Sequence, residues 1–368
     1  MTTTNPAAPA APLAPPDLAR IAKTVATKLP FRGDVTGLTP LAGDASNRRY
    51  FRVALKGKPS ALILMQLADP EGFKKSEEAV SGASVQIAEL PFTNVLAHLQ
   101  RTGVTVPQLH YYDREAGLLY LEDFGDLTLA EACRDADRAR LVSLYRQAID
   151  QLVLLQVKGT QPPAPGCIAF HRRFDVSLLM WEFDHFLEYG IAARLGQPMK
   201  PADDAAVRAA FQRIAELLAG QPQVFVHRDY HSRNLMVDGA RLGIIDFQDA
   251  LMGPATYDLA SLLKDAYIEL DDAVVDGLVD HFLDGLAAQG QGWADRAAFR
   301  RLFDFTSIQR NLKAAGRFVY IDRVKHNPKF LADIPRVLGY VKRNLSKYPE
   351  LATLRQHLAP YVAELQEA

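Results

Sequence analysis

Residues Phe225–Asp249 read FVHRDYHSRNLMVDGARLGIIDFQD, and the order of residue types in this stretch decides the fold. An apolar lead-in, Val224–Val226, stops at His227-Arg228-Asp229, and Asn234 follows the aspartate by five positions. Two short apolar runs come next, Leu235–Val237 and Leu242–Ile245, on either side of a turn at Asp238-Gly239. Aliphatic runs flanking an Asp-Gly pair mark a β-hairpin. This hairpin delivers Asp246-Phe247 at the end of its second strand, so Asp229, Asn234 and Asp246 are predicted to converge.

Such a set suits phosphoryl transfer. That reaction leaves the protein little covalent work and asks it to hold reactants in line and to neutralise phosphate charge. Asp229 is read as the base that accepts the proton of an attacking hydroxyl. Asn234 and Asp246 offer the oxygen ligands that hard Mg²⁺ prefers, beside the phosphates of ATP. A polar surface loop is the plainer reading, but it explains neither the spacing nor the apolar strands.

The composition agrees with an enzyme of that kind. The 368 residues suffice for two lobes with a core each, and a hydrophobic share of 48% is ordinary for a globular protein. Lysine and arginine number 42 against 43 acidic residues, a net charge of −1. No broad nucleic-acid or anionic-membrane surface is implied, and the expected partner is a small molecule. Cys133 and Cys167 are too few for a disulfide framework or a zinc quartet and fit a reducing compartment. No uncharged apolar run nears the roughly 20 residues that span a bilayer, and the start lacks a secretion leader. A cytoplasmic monomer is expected.

Residues 1–16, MTTTNPAAPAAPLAPP, have neither charge nor periodicity and are expected to form a disordered lead. A helix follows, with Leu18, Ile21, Val25 and Leu29 on one face and Pro30 as its stop. Gly43-Asp44-Ala45-Ser46-Asn47-Arg48-Arg49 is a small-residue turn entering an alternating strand. Its backbone N–H groups and arginines suit a phosphate-covering loop, although alone the stretch is an ordinary hairpin turn. On the next strand, Ala61–Leu67, Met65 and Gln66 stand where a kinase-like lobe carries a phosphate-pairing lysine. Arg48 or Arg49 is expected to supply the missing charge, with Lys74 and Lys75 as further candidates. A helix-rich segment over 77–101 carries Glu89, either a brace for a basic group or plain surface charge. Strands at 107–112 and 117–121 lead to Glu122-Asp123-Phe124, read as a hinge whose backbone meets an adenine edge. The lobe boundary is placed at Asp123.

Beyond it, helical periodicity recurs at about 137–157, 174–189, 203–218, 256–263, 272–289, 293–319 and 327–343. The predicted fold class is α+β: an N-terminal sheet lobe over 17–123 that covers the nucleotide, and a mostly helical C-terminal lobe over 124–368 that carries catalysis and substrate.

The segments HRDYHSRN and IIDFQD resemble those of the aminoglycoside phosphotransferase and choline kinase branch of the protein-kinase-like fold, with Gln248 where a protein kinase has the glycine of DFG. A narrower resemblance is to bacterial kinases that phosphorylate C1 of cell-wall amino sugars. It is carried by GDASNRRYFR (43–52), LEDFGD (121–126), IIDFQDALMGPATYDLASLLKD (244–265), QRNLK (309–313) and ADIPRVLGY (332–340), among others. This resemblance implies a two-lobed fold and transfer of the γ-phosphate of ATP, with Mg²⁺, to the anomeric hydroxyl of N-acetylmuramate and N-acetylglucosamine. It also implies a place in peptidoglycan recycling toward UDP-N-acetylmuramate, and a role for Asp258 in fixing the catalytic loop. Candidate substrate contacts are Tyr230 and His231 beside the base and Gln309, Arg310 and Lys313 on a later helix, where Gln309, Lys313 and Arg317 form a stripe. A stripe of that charge is usually a solvated face. The rival readings are a kinase of another hydroxyl (aminoglycoside, choline or homoserine) and a nucleotide-binding pseudokinase. The presence of Asp229, Asn234 and Asp246 weighs against the second.

Overall fold

A computed structural model describes residues 14–41, 48–67 and 89–366. The chain divides into two compact units, residues 1–73 with 107–123, and 74–106 with 124–368. Gly43–Asn47, Lys74 and Lys75, named above for the nucleotide, lie outside the described residues.

Among the described residues the first unit is one helix on a sheet. Helix α1, Leu18–Thr27, starts at Asp17, whose carboxylate accepts from the N–H of Ala19 at 2.9 Å. Strands β1 (Asp34–Leu41), β2 (Arg49–Lys56), β3 (Ala61–Gln66), β4 (Leu109–Asp113) and β5 (Leu118–Leu121) form an antiparallel sheet in the order β1-β2-β3-β5-β4. Alternation sends Phe51, Val53, Leu55, Leu62, Leu64, Leu118 and Tyr120 against Ile21 and Val25 of α1 and Leu29 just beyond it. The opposite face carries Tyr50, Met65 and Leu119 in register, and Arg52, whose Nε meets Asp123 at 2.6 Å. Strand β1 escaped the sequence reading. It is an edge strand with mostly exposed or half-exposed residues, interrupted by Gly37 and Pro40, so it carries no apolar alternation.

The second unit is built on helices α2 (Pro91–Thr102), α3 (Leu129–Arg134), α4 (Arg138–Thr160), α5 (Val176–His185), α6 (Pro201–Ala219), α7 (Thr256–Leu263), α8 (Asp272–Ala288), α9 (Arg296–Lys325), α10 (Ile334–Lys347) and α11 (Ala352–Leu358). Two short ladders interrupt them, β6 (Gln223–Val226) with β9 (Leu251–Pro254), and the hairpin β7 (Leu235–Asp238) with β8 (Arg241–Ile244). Aspartates 137, 175, 271 and 295 cap α4, α5, α8 and α9, each accepting from an N–H three residues on. Helix α2 belongs here and not with the sheet, where the sequence division had put it. Asn94 donates to the carbonyl of Gly166 at 2.8 Å and accepts from Ile168 at 2.8 Å, and His98 meets the carbonyl of Gly159 at 2.7 Å.

Helix α5 runs on into a π-helix, Phe186–Ala193, which α9 crosses at Gly316. A methyl group at Gly316 would stand 2.8 Å from the Cα of Phe186, so only glycine allows this approach. Both cysteines are buried thiols, and burial pushes the Cys133 thiol up to about 11. Among the described residues no helix is long and apolar enough to cross a membrane.

Candidate active site

The pairing of Val226 with Leu251 ends strand β6 at His227, whose side chain is wholly buried. The backbone N–H groups of His227 and Arg228 donate to the two oxygens of Asp258, at 2.6 and 3.0 Å. That is the loop-fixing part expected of Asp258. The ring of His227 donates from Nε2 to the carbonyl of Ile245 at 2.9 Å and accepts the N–H of Asp229 at Nδ1, 3.2 Å away. These two bonds select the neutral Nε2–H tautomer, and burial lowers the pKa of the ring in the same sense.

Asn234 joins the base to the hairpin. Its Nδ2 donates to the carbonyl of Asp229 at 2.9 Å, and its own carbonyl accepts from the N–H of Ile245 at 3.0 Å. Asp246 is the next residue, exposed and in the left-handed region at φ 66°. Gln248 donates to it at 3.0 Å and to Asp249 at 3.1 Å. The hairpin thus brings Asp229, Asn234 and Asp246 to one end, by the bonds that close it.

The electrostatics favour an ionised base. Burial by itself would raise the Asp229 carboxyl, but the charges of Lys313, His231, Arg228 and Arg310 outweigh it and hold the group well below the usual carboxylate range. Asp258 goes the other way. Its burial, with the charge of Asp229 nearby, pushes it up to about 7 against the two amide bonds it accepts. A carboxylate held so low is a weak proton acceptor at rest, and in the role expected of Asp229 it would first orient a hydroxyl and take its proton late.

A buried carboxylate that the sequence reading missed lies beneath this loop. Glu182 of α5 is fully buried and receives Arg228 at 3.2 Å, Gln309 at 2.8 Å and Lys313 at 3.5 Å. Nothing in a lone glutamate among WEFDH marks it, because its three partners lie 46 or more positions away. The same network corrects the substrate candidates. Gln309 is wholly buried and Arg310 nearly so, its Nε on the Ser261 hydroxyl, so neither lies on a solvated face. Tyr230 is a core residue whose hydroxyl donates to the carbonyl of Ala148 at 2.8 Å. His231 packs edge-on against Tyr267, and burial lowers its pKa. Lys313, at 20% side-chain exposure, keeps access to solvent, as does the half-buried His231.

Of the nucleotide candidates, Arg49 packs over the ring of Phe51, the carboxylate of Asp123 is engaged by Arg52, and Glu122 accepts the N–H of Gln108 at 3.2 Å. Phe124 is buried with its ring on the backbone of Gly243 in β8, where a Cβ would come within 2.4 Å. Packing, not nucleotide contact, therefore accounts for that side chain. Glu89 accepts from Asn94 at 3.0 Å.

The donor set fits magnesium. Because Nδ2 of Asn234 is committed to the loop, its oxygen is the atom that would meet a cation, and Asp246 would supply a carboxylate. Among the described residues no group of three or more histidine, cysteine or acidic side chains forms a metal cage. None is required, since Mg²⁺ keeps its waters and takes one or two protein oxygens plus phosphate.

A carboxylate on a fixed loop, with an Asn/Asp oxygen pair at the end of a hairpin, suits a phosphotransferase. The chain belongs to the phosphotransferase enzyme family, which matches residues 37–299; it is an enzyme that transfers phosphate to a hydroxyl acceptor. It is 34% identical over 334 residues to the N-acetylmuramate/N-acetylglucosamine kinase of Pseudomonas putida, covering 89% of this chain and 88% of the relative. The protein of the same name from Pseudomonas aeruginosa is 31% identical over 330 residues, with 88% of each covered. Among solved structures it resembles the amicoumacin kinase hAmiN in complex with AMP-PNP, Ca²⁺ and Ami. The TM-score is 0.56 at 16% identity, over 91% of this chain and 95% of that one. The fold is the protein-kinase-like one of the choline and aminoglycoside kinases.

Proposed function

We propose that this enzyme transfers the γ-phosphate of ATP to the anomeric C1 hydroxyl of N-acetylmuramate and N-acetylglucosamine. The observation that carries the reading is the likeness, over nearly nine tenths of the chain, to kinases named for those two sugars. Asp229 orients the C1 hydroxyl and accepts its proton as the phosphoryl group arrives, and Asp258 and His227 hold the loop in which it sits. Asn234 and Asp246 hold Mg²⁺, which when bound neutralises phosphate charge. Lys313 faces the acceptor and meets the lactyl carboxylate of N-acetylmuramate. For the nucleotide, the backbone at Glu122 and Asp123 is the part that reads the adenine edge. A sugar 1-phosphate suits later coupling to a nucleotide, toward UDP-N-acetylmuramate, in a cytoplasmic recycling route, and the enzyme works as a monomer.

The test is a panel of N-acetylmuramate, N-acetylglucosamine, an aminoglycoside, choline and homoserine, each with ATP and Mg²⁺, the products examined by phosphorus NMR. Phosphorus coupled to the anomeric proton of the two sugars is the expected result. Phosphate at another sugar position, or turnover confined to another acceptor, would overturn the reading.

A further inference from the structure

Glu182 has no part in the chemistry so far described, and it sits where a charge is costly. Its carboxylate is wholly buried, yet the surrounding Lys313, Arg228 and Gln309 overcome the effect of burial and keep it ionised. Buried ion networks of this kind often add nothing to stability relative to apolar residues of the same volume. What sets this one apart is where its partners lead.

Arg228 immediately precedes the base and has a left-handed backbone, φ 81°, which side chains other than glycine resist. Asp258 holds its N–H and Glu182 holds its guanidinium. Lys313 is the foremost of the positive charges acting on Asp229, and its ammonium stands 3.5 Å from both Glu182 and the hydroxyl of Tyr257. At those lengths it retains donors for another acceptor. Gln309 fastens the second oxygen of Glu182 at 2.8 Å, so that the carboxylate does not turn.

We propose that Glu182 is a positioning residue of the phosphotransfer site: through Arg228 it keeps the base loop in its left-handed turn, and through Lys313 it presents an ammonium to the acceptor beside the base. The second half rests on the acceptor-side reading of Lys313 given above, and the first half does not.

The experiment compares Glu182→Gln, Lys313→Met and the double variant, measuring kcat, both KM values and the unfolding midpoint. Glu182→Gln is expected to lower kcat at least about tenfold and to raise the KM for N-acetylmuramate about tenfold, with the KM for ATP within about twofold. Lys313→Met should reproduce the rise in acceptor KM, and the double variant should raise it no further, because the two residues act as one unit. A folded Glu182→Gln enzyme with parental kinetics overturns the proposal. So does a double variant in which the two effects multiply, or a parallel rise of both KM values together with a lowered unfolding midpoint. Should Glu182→Gln fail to fold, Gln309→Leu decides, since it loosens the carboxylate without touching charge: an acceptor-specific rise in KM supports the proposal, and parental kinetics overturns it. If amino sugars prove not to be substrates, the same measurements are made with the acceptor that is phosphorylated. The proposed function then falls, while Glu182 is judged separately on kcat and on the coupling to Lys313.

Discussion

At the scale of single residues the site is a contest between burial and charge, and Asp229 shows which wins. Lys313, Arg228 and Arg310, together with the His231 ring, hold its carboxyl down despite its burial. Replacing it by asparagine keeps the shape and removes the base. Turnover should fall about 10²- to 10⁴-fold while ATP binding, followed by calorimetry, is kept; unchanged turnover would take Asp229 out of the mechanism. The same depressed pKa fixes the sign of a pH effect. The ionised form, being favoured in the folded enzyme, persists as pH falls through the ordinary carboxylate range near 4, and only below it is the charge lost. The kcat profile at saturating substrates should therefore show no acid limb from Asp229 above about pH 4.5, whereas a limb near 7 would point to Asp258, the loop-holding carboxyl pushed up to about 7. On the proposed reading Lys313 governs selectivity instead. Lys313→Ala should lower kcat/KM for N-acetylmuramate about ten- to a hundredfold more than for N-acetylglucosamine, since only the former has a carboxylate to lose. Equal losses in the two sugars would return Lys313 to the ring or the fold.

Elements were legible in the sequence where one periodicity ruled them. The catalytic hairpin, strands β2 to β5 and the long helices of the second unit announce themselves through an apolar pattern, to which an aspartate cap adds a start signal at α4, α5, α8 and α9. The misses have physical causes. Strand β9 was overlooked because LMGP is too short to alternate and pairs with a strand far back in the chain. The π-helix was overlooked because its winding is set by packing, not by composition; FLEYGIAA reads as ordinary α-helix. The burial of Gln309 and Arg310 was hidden for the same reason, as polar residues on a helix are read outward until their buried partner is known. Gly316 is where this packing can be probed. A methyl group there meets the backbone of Phe186, so Gly316→Ala should cost about 1–3 kcal/mol in chemical denaturation; an unchanged midpoint would mean that α9 moves aside freely.

On the scale of the whole molecule the two units have separate cores, one on the sheet around Phe51 and Leu64, the other among the helices around Phe183 and Phe211. Independent cores of unequal size are expected to lose structure at different denaturant concentrations. The chain allows a direct check, since both of its tryptophans, Trp181 and Trp293, belong to the helical unit. Tryptophan emission will follow that unit alone, while far-ultraviolet circular dichroism follows both. The two unfolding curves should not superimpose, and coincident curves would establish a single cooperative transition. The buried thiols carry a different consequence. Cys133 and Cys167 are shielded from solvent, and Cys133 is further kept from its thiolate form. The native protein is thus nearly blank to maleimides and thiol-exchange dyes, and both sulfurs become reactive only on unfolding. A cysteine introduced at an exposed position such as Val324, which is 49% accessible, would be the sole labelling handle on a chain that needs no prior cysteine removal.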